Sequence, residues 1–341
     1  MIIIDGIIET LQSSGGITTY FSELIKNFEN SNVEYKYLNY VGSKSKLKGT
    51  VSDDNLKRFL ERYRDVPFDC DSTPRIFHSS YYRIPQPKSS KVVTTVHDFT
   101  YERFVGGLPK KVHTWQKYRA IKNSDIVICV SNSTAKDLME YCPIDESKIR
   151  VIYNGVSDSY YKIDTLHDAD KTNQKNVLFV GSRAAYKNFD LAVKTLANLP
   201  DLTLDIVGGG ILSSAELEFL NNNLSGRFNY LGRLTDQELN LAYNKCYALF
   251  YPSSYEGFGI PIIEAMQSGC PVICVNSSSI PEVAGDAAIV VNGPSVSEFK
   301  LAFEKLPSIR TSLIEAGFKQ AEKFSWNKCF RETLGVYREL L

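Results

Sequence analysis

Glu256 and Glu264 are separated by seven residues and bracket an apolar, glycine-bearing run, "EGFGIPIIE". Carboxylates are two-oxygen acceptors that suit vicinal sugar hydroxyls. Between them, Gly257 and Gly259 let backbone come close to a ligand. Pro261 suits the first position of a helix, and Gly269 the residue just past its end. Local rules therefore give a strand, "ALFYPS", a glycine loop and a helix. Amides at such a helix start, here on Gly257, Phe258, Gly259 and Ile260, make an anion site. One anion cradle with two hydroxyl receptors fits a nucleoside-diphosphate sugar. Glu264 also has a plainer reading: an acid near a helix start gains about 0.3–1 kcal/mol from the helix dipole.

Other residues could join them. In "FVGSRAAYKNFDLAV" a strand ends at Gly181, and Arg183 and Lys187 follow before a helix. Two cations there could neutralise a diphosphate, or simply be solvated. In "VVTTVHDFTYE" His97 and Asp98 end a strand. His97 is a candidate ligand contact or a structural histidine. Asp98 is a candidate base on the acceptor side or a cap for the next turn. Gly15 and Gly16 open the first long helix in "LQSSGGITTYFSEL", where amides again form an anion site unless Ser13, Ser14 or Thr18 caps them. "DIVGGGILSSAEL" is a poor dinucleotide fingerprint, because Ser213 stands where a third glycine belongs.

These groups need a frame that presents strand ends. The first half alternates short Val/Ile-rich runs with helical segments at Ile17–Phe28, Asn55–Tyr63, Pro109–Lys122 and Ser133–Tyr141. The second half repeats the scheme, with helices at Asn188–Asn198, Ser214–Asn222, Thr235–Asn244, Pro261–Ser268 and Val296–Lys305. Runs without polar alternation are strands covered on both faces, so two α/β, doubly wound parallel sheets are expected. The boundaries read as a first domain over 1–157, a polar linker over 158–175, a second domain over 176–325, and a last helix over 326–341 that packs back on the first domain. Ligands of open α/β sheets bind beyond the carboxyl ends of the strands, so a cleft between the two sheets is the expected site.

Bulk properties narrow the class. The chain has 341 residues, 39 basic and 39 acidic, so no global charge favours nucleic acid. "MIIIDGIIETL" reads as a strand rather than a signal peptide, and no apolar run reaches a membrane span of about 20 residues. Seven scattered cysteines suggest a reduced, cytoplasmic setting and complete no zinc set. "LPKKVHTWQKYRAIK" is basic and aromatic, with Lys110, Lys111, Lys117, Arg119 and Lys122 beside Trp115 and Tyr118. An anionic membrane surface is one reading of it, and a solvated helix the other.

The segment "EGFGIPIIEAMQSGCPVICVNSSSIPEVAGDAAIVVN" resembles the mark of the large retaining glycosyltransferase family four, the glycosyl transferases group 1, whose fold is GT-B. The likeness covers nearly all of the chain and is firmest over 176–292. It implies two Rossmann-like domains, the first for the acceptor and the second for the sugar nucleotide. It implies catalytic roles for Glu256, His97, Arg183 and Lys187. It places Gly15, Gly16, Gly181, Arg183, Lys187, Gly208, Arg233, Leu234, Gly257, Phe258, Gly259 and Ile260 around the donor, with backbone near Arg233 and Leu234 meeting the base. Glu256 would bind the donor sugar and Glu264 the ribose.

The resemblance further implies retention of configuration and a saccharide or lipid-linked saccharide acceptor of bacterial surface polysaccharide. A mannose-type donor is favoured by "GSRAAYKNF". No cofactor beyond the sugar nucleotide is expected, and no metal. The Asp69–Asp71 and Asp168–Asp170 pairs read as surface charge. The protein is expected in the cytoplasm or at the cytoplasmic face of the inner membrane. A sugar-nucleotide epimerase or phosphorylase of the same fold is the alternative enzyme. A two-lobed binding protein is the alternative of another class, although it has no need of paired cations.

Overall fold

A computed structural model describes residues 1–12, 15–40, 58–67, 75–86, 89–164 and 175–341. The chain forms two compact units, Met1–Gly155 with Trp326–Leu341, and Val156–Ser325.

In the first unit the described strands are β1 (Ile2–Asp5), β2 (Tyr35–Leu38), β3 (Ile76–Ser79), β4 (Lys91–Val96), β5 (Ile126–Cys129) and β6 (Ile149–Val151). They form a parallel sheet in the order β2-β1-β3-β4-β5-β6. β1, β3 and β5 are buried at every residue, as apolar runs without alternation require. The helices are α1 (Ile8–Leu11), α2 (Gly16–Glu29), α3 (Thr100–Phe104), α4 (Gly107–Lys122) and α5 (Asn132–Tyr141). α2 buries Tyr20, Phe21, Leu24, Ile25 and Phe28, one face at helical spacing.

The second unit repeats the plan with β7 (Asn176–Val180), β8 (Thr203–Val207), β9 (Phe228–Gly232), β10 (Ala248–Tyr251), β11 (Val272–Val275) and β12 (Ile289–Val291). Their order is β12-β11-β10-β7-β8-β9, again parallel. Its helices are α6 (Phe189–Ala197), α7 (Ser214–Leu224), α8 (Asp236–Lys245), α9 (Ile260–Gln267), α10 (Ile280–Ala284) and α11 (Val296–Ala321). α11 runs well past the expected Lys305 with Pro307 inside it. The final helix, α12 (Trp326–Leu340), belongs to the first unit. It buries Trp326, Cys329, Phe330, Thr333, Leu334 and Tyr337, and Phe330 meets Phe28 edge-on at 4.9 Å.

Three expectations change. Residues 158–164 are not a free linker. Tyr160 is buried, the Tyr161 amide donates to Asn240 Oδ1, and the Ile163 amide donates to Asn244 Oδ1. Two asparagines on α8 thus satisfy backbone that looked unpartnered in the sequence. Residues 165–174 lie outside the described residues, as do both Asp-x-Asp pairs. Of the helix expected over Asn55–Tyr63, residues 55–57 lie outside the described set, and 58–63 hold only a short 3-10 turn at Glu61–Tyr63. There Leu60 adopts φ 57, which ends any continuous helix. Finally, α9 begins at Ile260, so Pro261 is its second residue.

Candidate active site

Strand order decides which loops meet. In the second sheet, β7 lies between β10 and β8, so the order reverses between β7 and β10. Ligands of open α/β sheets bind beside such a switch point. The loops after β7 and β10 carry Arg183, Lys187 and Glu256.

Lys187 ends a 3-10 turn, and its Nζ sits 2.5 Å from Glu256 Oε1. The two side chains are 13% and 11% exposed, so this ion pair is mostly shielded but not sealed. Read from the sequence these residues had separate tasks; the fold makes them partners. Asn188, in a left-handed conformation at φ 54, caps α6 and donates to Pro252 O and Ser254 Oγ. The Ser254 amide donates to Tyr186 O at 2.7 Å. These bonds tie the β7 loop to the β10 loop across the switch point.

A run of serines fixes the glutamate loop. Ser278 Oγ accepts from the Glu256 amide at 2.8 Å. Ser279 Oγ donates to the carbonyls of Glu256 and Phe258, both at 2.9 Å. Gly259 then caps α9 at φ 102, with no side-chain cap on the helix. A Cβ there would crowd Ile262 at 3.3 Å in a backbone region other residues rarely adopt.

Arg183 is also held by the protein itself. Its Nε donates to Glu216 Oε1 at 2.5 Å, Nη1 to Gly208 O, and Nη2 to Gly210 O and Ile211 O. The guanidinium therefore clasps the triple-glycine turn after β8. A Cβ on Gly209 would lie 2.4 Å from its Nη1, so glycine is required where the clasp closes. The Arg183 hydrogen bond, then that of the Ser213 amide, holds Glu216 down at about 2, fully ionised near neutrality. Ser213 and Glu216 form a reciprocal capping box on α7. That explains why a serine stands in the third glycine position. On the next strand, the Gly208 amide donates to Gly232 O at 2.7 Å, and exposed Arg233 and half-buried Leu234 follow. Gly181, at φ 131, lines the same edge.

Glu264 faces tyrosines. Tyr243 donates to its Oε2 at 3.1 Å, and Tyr160 also bonds to it. Burial, then the neighbouring Asp236 charge, pushes its carboxyl up to about 7, against the pull of the two hydroxyls. Glu264 is the fifth residue of α9, past the first turn in which a helix dipole acts, so the dipole account of it loses its ground. The first turn of α9 carries no acid at all.

In the first sheet the order reverses between β1 and β3. After β1, Gly15 caps α2 at φ 153, ψ 170, a region open essentially to glycine, with no side-chain cap. Thr18 bonds instead to Gln12 O, and Ser13 and Ser14 lie outside the described residues. Gly16 is the first residue of the helix. After β4, His97 is 9% exposed, its ring edge-on to Tyr20 at 5.1 Å, and its Nε2 has no hydrogen-bond partner among the described residues. Burial pulls it down to about 4, so the imidazole is neutral near pH 7. Asp98 Oδ1 accepts from the Thr100 amide at 2.9 Å, the turn cap that was one of its two readings.

The sequence reading missed His78. Its ring joins Tyr337 at 2.5 Å and Thr95 at 2.8 Å, and Thr95 meets Tyr20 at 3.3 Å. This chain of bonds pins α12 to the sheet beneath His97. Glu216, Tyr160, Tyr243 and Ser277–Ser279 were missed as well. Only Glu216 had a local signal, the Ser-x-x-Glu spacing before an apolar stretch.

Of the five cations on the basic helix α4, one is internal. Lys117 is fully buried, bonded to Asp98 O and Glu102 and set 3.4 Å from the Phe99 ring centre. Arg119 forms a bidentate pair with Asp65, and Lys110 donates to Glu102 O. Lys111, Lys122, Leu108 and Trp115 remain outward, with Phe104 just before. Among the described residues no helix is long and apolar enough to cross a membrane, and no group of three acidic, His or Cys side chains forms a metal cluster.

Two family profiles match consecutive parts of the chain. The family described as Glycosyltransferase Family 4 matches residues 14–160, and that described as Glycosyl transferases group 1 matches 165–320. The chain belongs to this glycosyltransferase family and has the GT-B fold. A relative, O-antigen chain mannosyltransferase B of Escherichia coli, is 27% identical over 78% of this chain and 74% of its own. The serotype-specific mannosyltransferase WbdA of Escherichia coli is 26% identical over 77% of this chain, which spans 36% of that longer protein. Among solved structures, HepE of Anabaena in complex with UDP and glucose superposes with a TM-score of 0.71 at 14% identity, covering 99% of both chains.

Proposed function

We propose that this glycosyltransferase moves a hexosyl unit, of mannose type, from a nucleoside-diphosphate sugar to a sugar hydroxyl of an oligosaccharide or lipid-linked acceptor in bacterial surface polysaccharide synthesis. The observation that carries the proposal is the Lys187–Glu256 pair at the switch point of the second sheet. Glycosyl transfer develops positive charge at the anomeric carbon and negative charge on the departing phosphate. An ammonium beside a carboxylate offers one group to each. Lys187 would serve the phosphate and Glu256 the donor sugar, with the amides of Gly257–Ile260 beside them. Arg183 would act chiefly by shaping the glycine turn, with its outward edge toward the phosphate. Glu264 would accept the ribose hydroxyls, and His97 would present its neutral Nε2 to the donor sugar. Asp98 remains the residue on the acceptor side. The named mannosyltransferase relative supports the sugar and the pathway.

Retention of configuration fits a front-face route, in which the leaving phosphate takes the acceptor proton. The outward Leu108, Trp115, Lys111 and Lys122 would rest on an anionic bilayer where such acceptors reside. The test is nucleoside-diphosphate release from GDP-, UDP- and ADP-sugars with and without mannosyl oligosaccharide acceptors. Acceptor-dependent release from GDP-mannose supports the reading. Release from none of the donors, with no thermal stabilisation by any nucleotide, sinks it.

A further inference from the structure

In the second unit, polar side chains from three segments converge on Glu264. α9 supplies the carboxyl. α8 supplies Asp236 at its first residue and Tyr243 farther along, and the stretch before β7 supplies Tyr160. α8 and α9 begin just past the ends of β9 and β10, on the edge where open α/β sheets take ligands. Glu264 is half-buried, so part of it stays open. Tyr243 donates to its Oε2 at 3.1 Å. The Tyr160 hydroxyl reaches two carboxylates, Asp236 Oδ1 at 3.4 Å and Glu264. A phenol has one proton to donate, so Tyr160 serves one acid or the other. With both acids ionised, one goes without it. A proton on Glu264 removes the conflict: the Glu264 O–H donates to the Tyr160 oxygen, and Tyr160 donates to Asp236. Other neighbours do not offset the two acids. Tyr251 on β10 senses the Glu264 charge, and Cys270 just past α9 acts on Tyr243. β11 and α10, which also pack on α9, carry Cys274 and Glu282 as their ionisable groups. α11 meets α9 through uncharged Gly317 and Phe318, with Glu315 and Lys319 exposed beside them.

We infer that Tyr160 and Asp236 are positioning residues that keep a proton on Glu264 until a sugar nucleotide binds, and that binding releases this proton. The inference rests on the reading of Glu264 as the ribose receptor and deepens it. Two ribose hydroxyls donate to one carboxyl group best when both of its oxygens are acceptors, which is the ionised form. The Glu264 proton then leaves to solvent, Tyr160 keeps its own, and no bond of the ligand is broken. Burial, then the Asp236 charge, pushes the Glu264 carboxyl up to about 7, which places the event near neutrality. The sign follows from linkage. Below 7 a proton competes with the nucleotide, so affinity rises with pH and levels off above 7.

The test is titration calorimetry of the full chain with GDP-mannose, UDP-glucose and ADP-glucose, in buffers of different ionisation enthalpy. Their phosphates are esterified and do not titrate near neutrality, so a proton released comes from the protein. Binding should release about one proton at about pH 6 and close to none at about pH 8.5, with Kd falling about tenfold between them. Asp236→Asn removes the repelling charge. It should carry the midpoint toward acid and tighten binding at about pH 6 roughly threefold. Tyr160→Phe removes a hydrogen bond to the carboxylate and little volume. It should carry the midpoint toward alkali and weaken binding at about pH 7 roughly threefold, with Kd at about pH 8.5 near that of the wild type. A merely structural role would weaken binding alike at every pH and move neither midpoint. Glu264→Gln should abolish the proton release. A Kd constant across this range, no proton released, or midpoints that stay put or move together each overturn the inference. Failure of the wild type to bind any of the three at any pH would instead strike the glycosyltransferase reading on which the inference stands.

Discussion

The first unit encloses two ion pairs in its interior, whereas the second places its pairs beside strand ends. Arg83 and Asp5 are both fully buried in the first unit and pair at 3.1 Å, and the guanidinium also meets Glu61, Tyr40 and the Arg64 carbonyl. Lys117 is buried with Glu102. In the second unit Lys187, Glu256 and Arg183 sit on loops after β7 and β10 and Glu216 on the first turn of α7; Glu216 is 30% exposed, and Lys187 and Glu256 13% and 11%. A buried pair that loses one partner leaves an uncompensated charge in a poor solvent, so it governs stability. A pair at a loop edge can exchange a partner for a ligand, so it governs binding. The same residue types thus serve architecture in one sheet and chemistry in the other.

Substitutions can break that contrast, beginning with the largest effect. Arg83→Ala should cost about 3–5 kcal/mol in urea unfolding, because Asp5 and Glu61 lose their buried cation. A loss under about 1 kcal/mol would show that the cluster is not structural. Glu256→Gln should lower turnover about 10²- to 10³-fold, comparable to removing one group that stabilises transition-state charge, while nucleotide-induced thermal stabilisation persists. Turnover near the wild-type level would remove both the pairing and the sugar-binding role of Glu256.

The response to pH sharpens the comparison further. His78, His97 and His113 have folded values near 3, 4 and 4, below the ordinary 6.5, because burial disfavours their charged forms. The unfolded chain then binds more protons, so the first unit gains stability as pH rises from 4 to 6.5. Glu264 has the opposite sign. Its folded value near 7 exceeds the ordinary 4.5, so its contribution is full below 4.5 and is lost as pH rises through 7. That contribution is on the order of 1–2 kcal/mol once its partial exposure is allowed for. Hydrogen exchange resolved by unit at acid and neutral pH should show the two trends diverging, and Glu264→Gln should flatten only the second.

Smaller effects follow. Tyr243→Phe removes one hydrogen bond to Glu264, worth about 1 kcal/mol, and should raise the donor KM roughly fivefold with little change in kcat. Equal falls in kcat and kcat/KM would place Tyr243 in the chemistry instead. Trp115→Ala should leave stability within about 0.5 kcal/mol but reduce cosedimentation with anionic vesicles. Unchanged vesicle binding would make α4 an ordinary solvated face.

Much of the second unit was legible in the sequence because its cues are local. Gly259 and Gly269 mark loop and cap positions through backbone conformation alone, and each falls within a residue of its reading. Apolar runs without alternation marked the strands for the same reason. Among the α4 cations Lys117 was misread, because a charge run looks solvated until its partners arrive. Asp65 and Glu102 come from separate elements, and Lys117 is buried only after α4 docks. Residues 158–164 looked like linker because the asparagines that satisfy their backbone lie about 80 positions onward.

By itself the sequence determined the alternation of strand and helix, the glycine turns, and which residue types stand at strand ends. Those follow from backbone geometry and from hydrophobic period, which act over a few residues. The tertiary structure alone decided the pairings: Lys187 with Glu256 across a reversal of strand order, Arg183 with Glu216, Tyr243 with Glu264, and Tyr337 with His78. Each joins residues brought together only when strands order themselves and helices dock. Electrostatic and hydrogen-bond partners depend on distance in space, which no local pattern encodes.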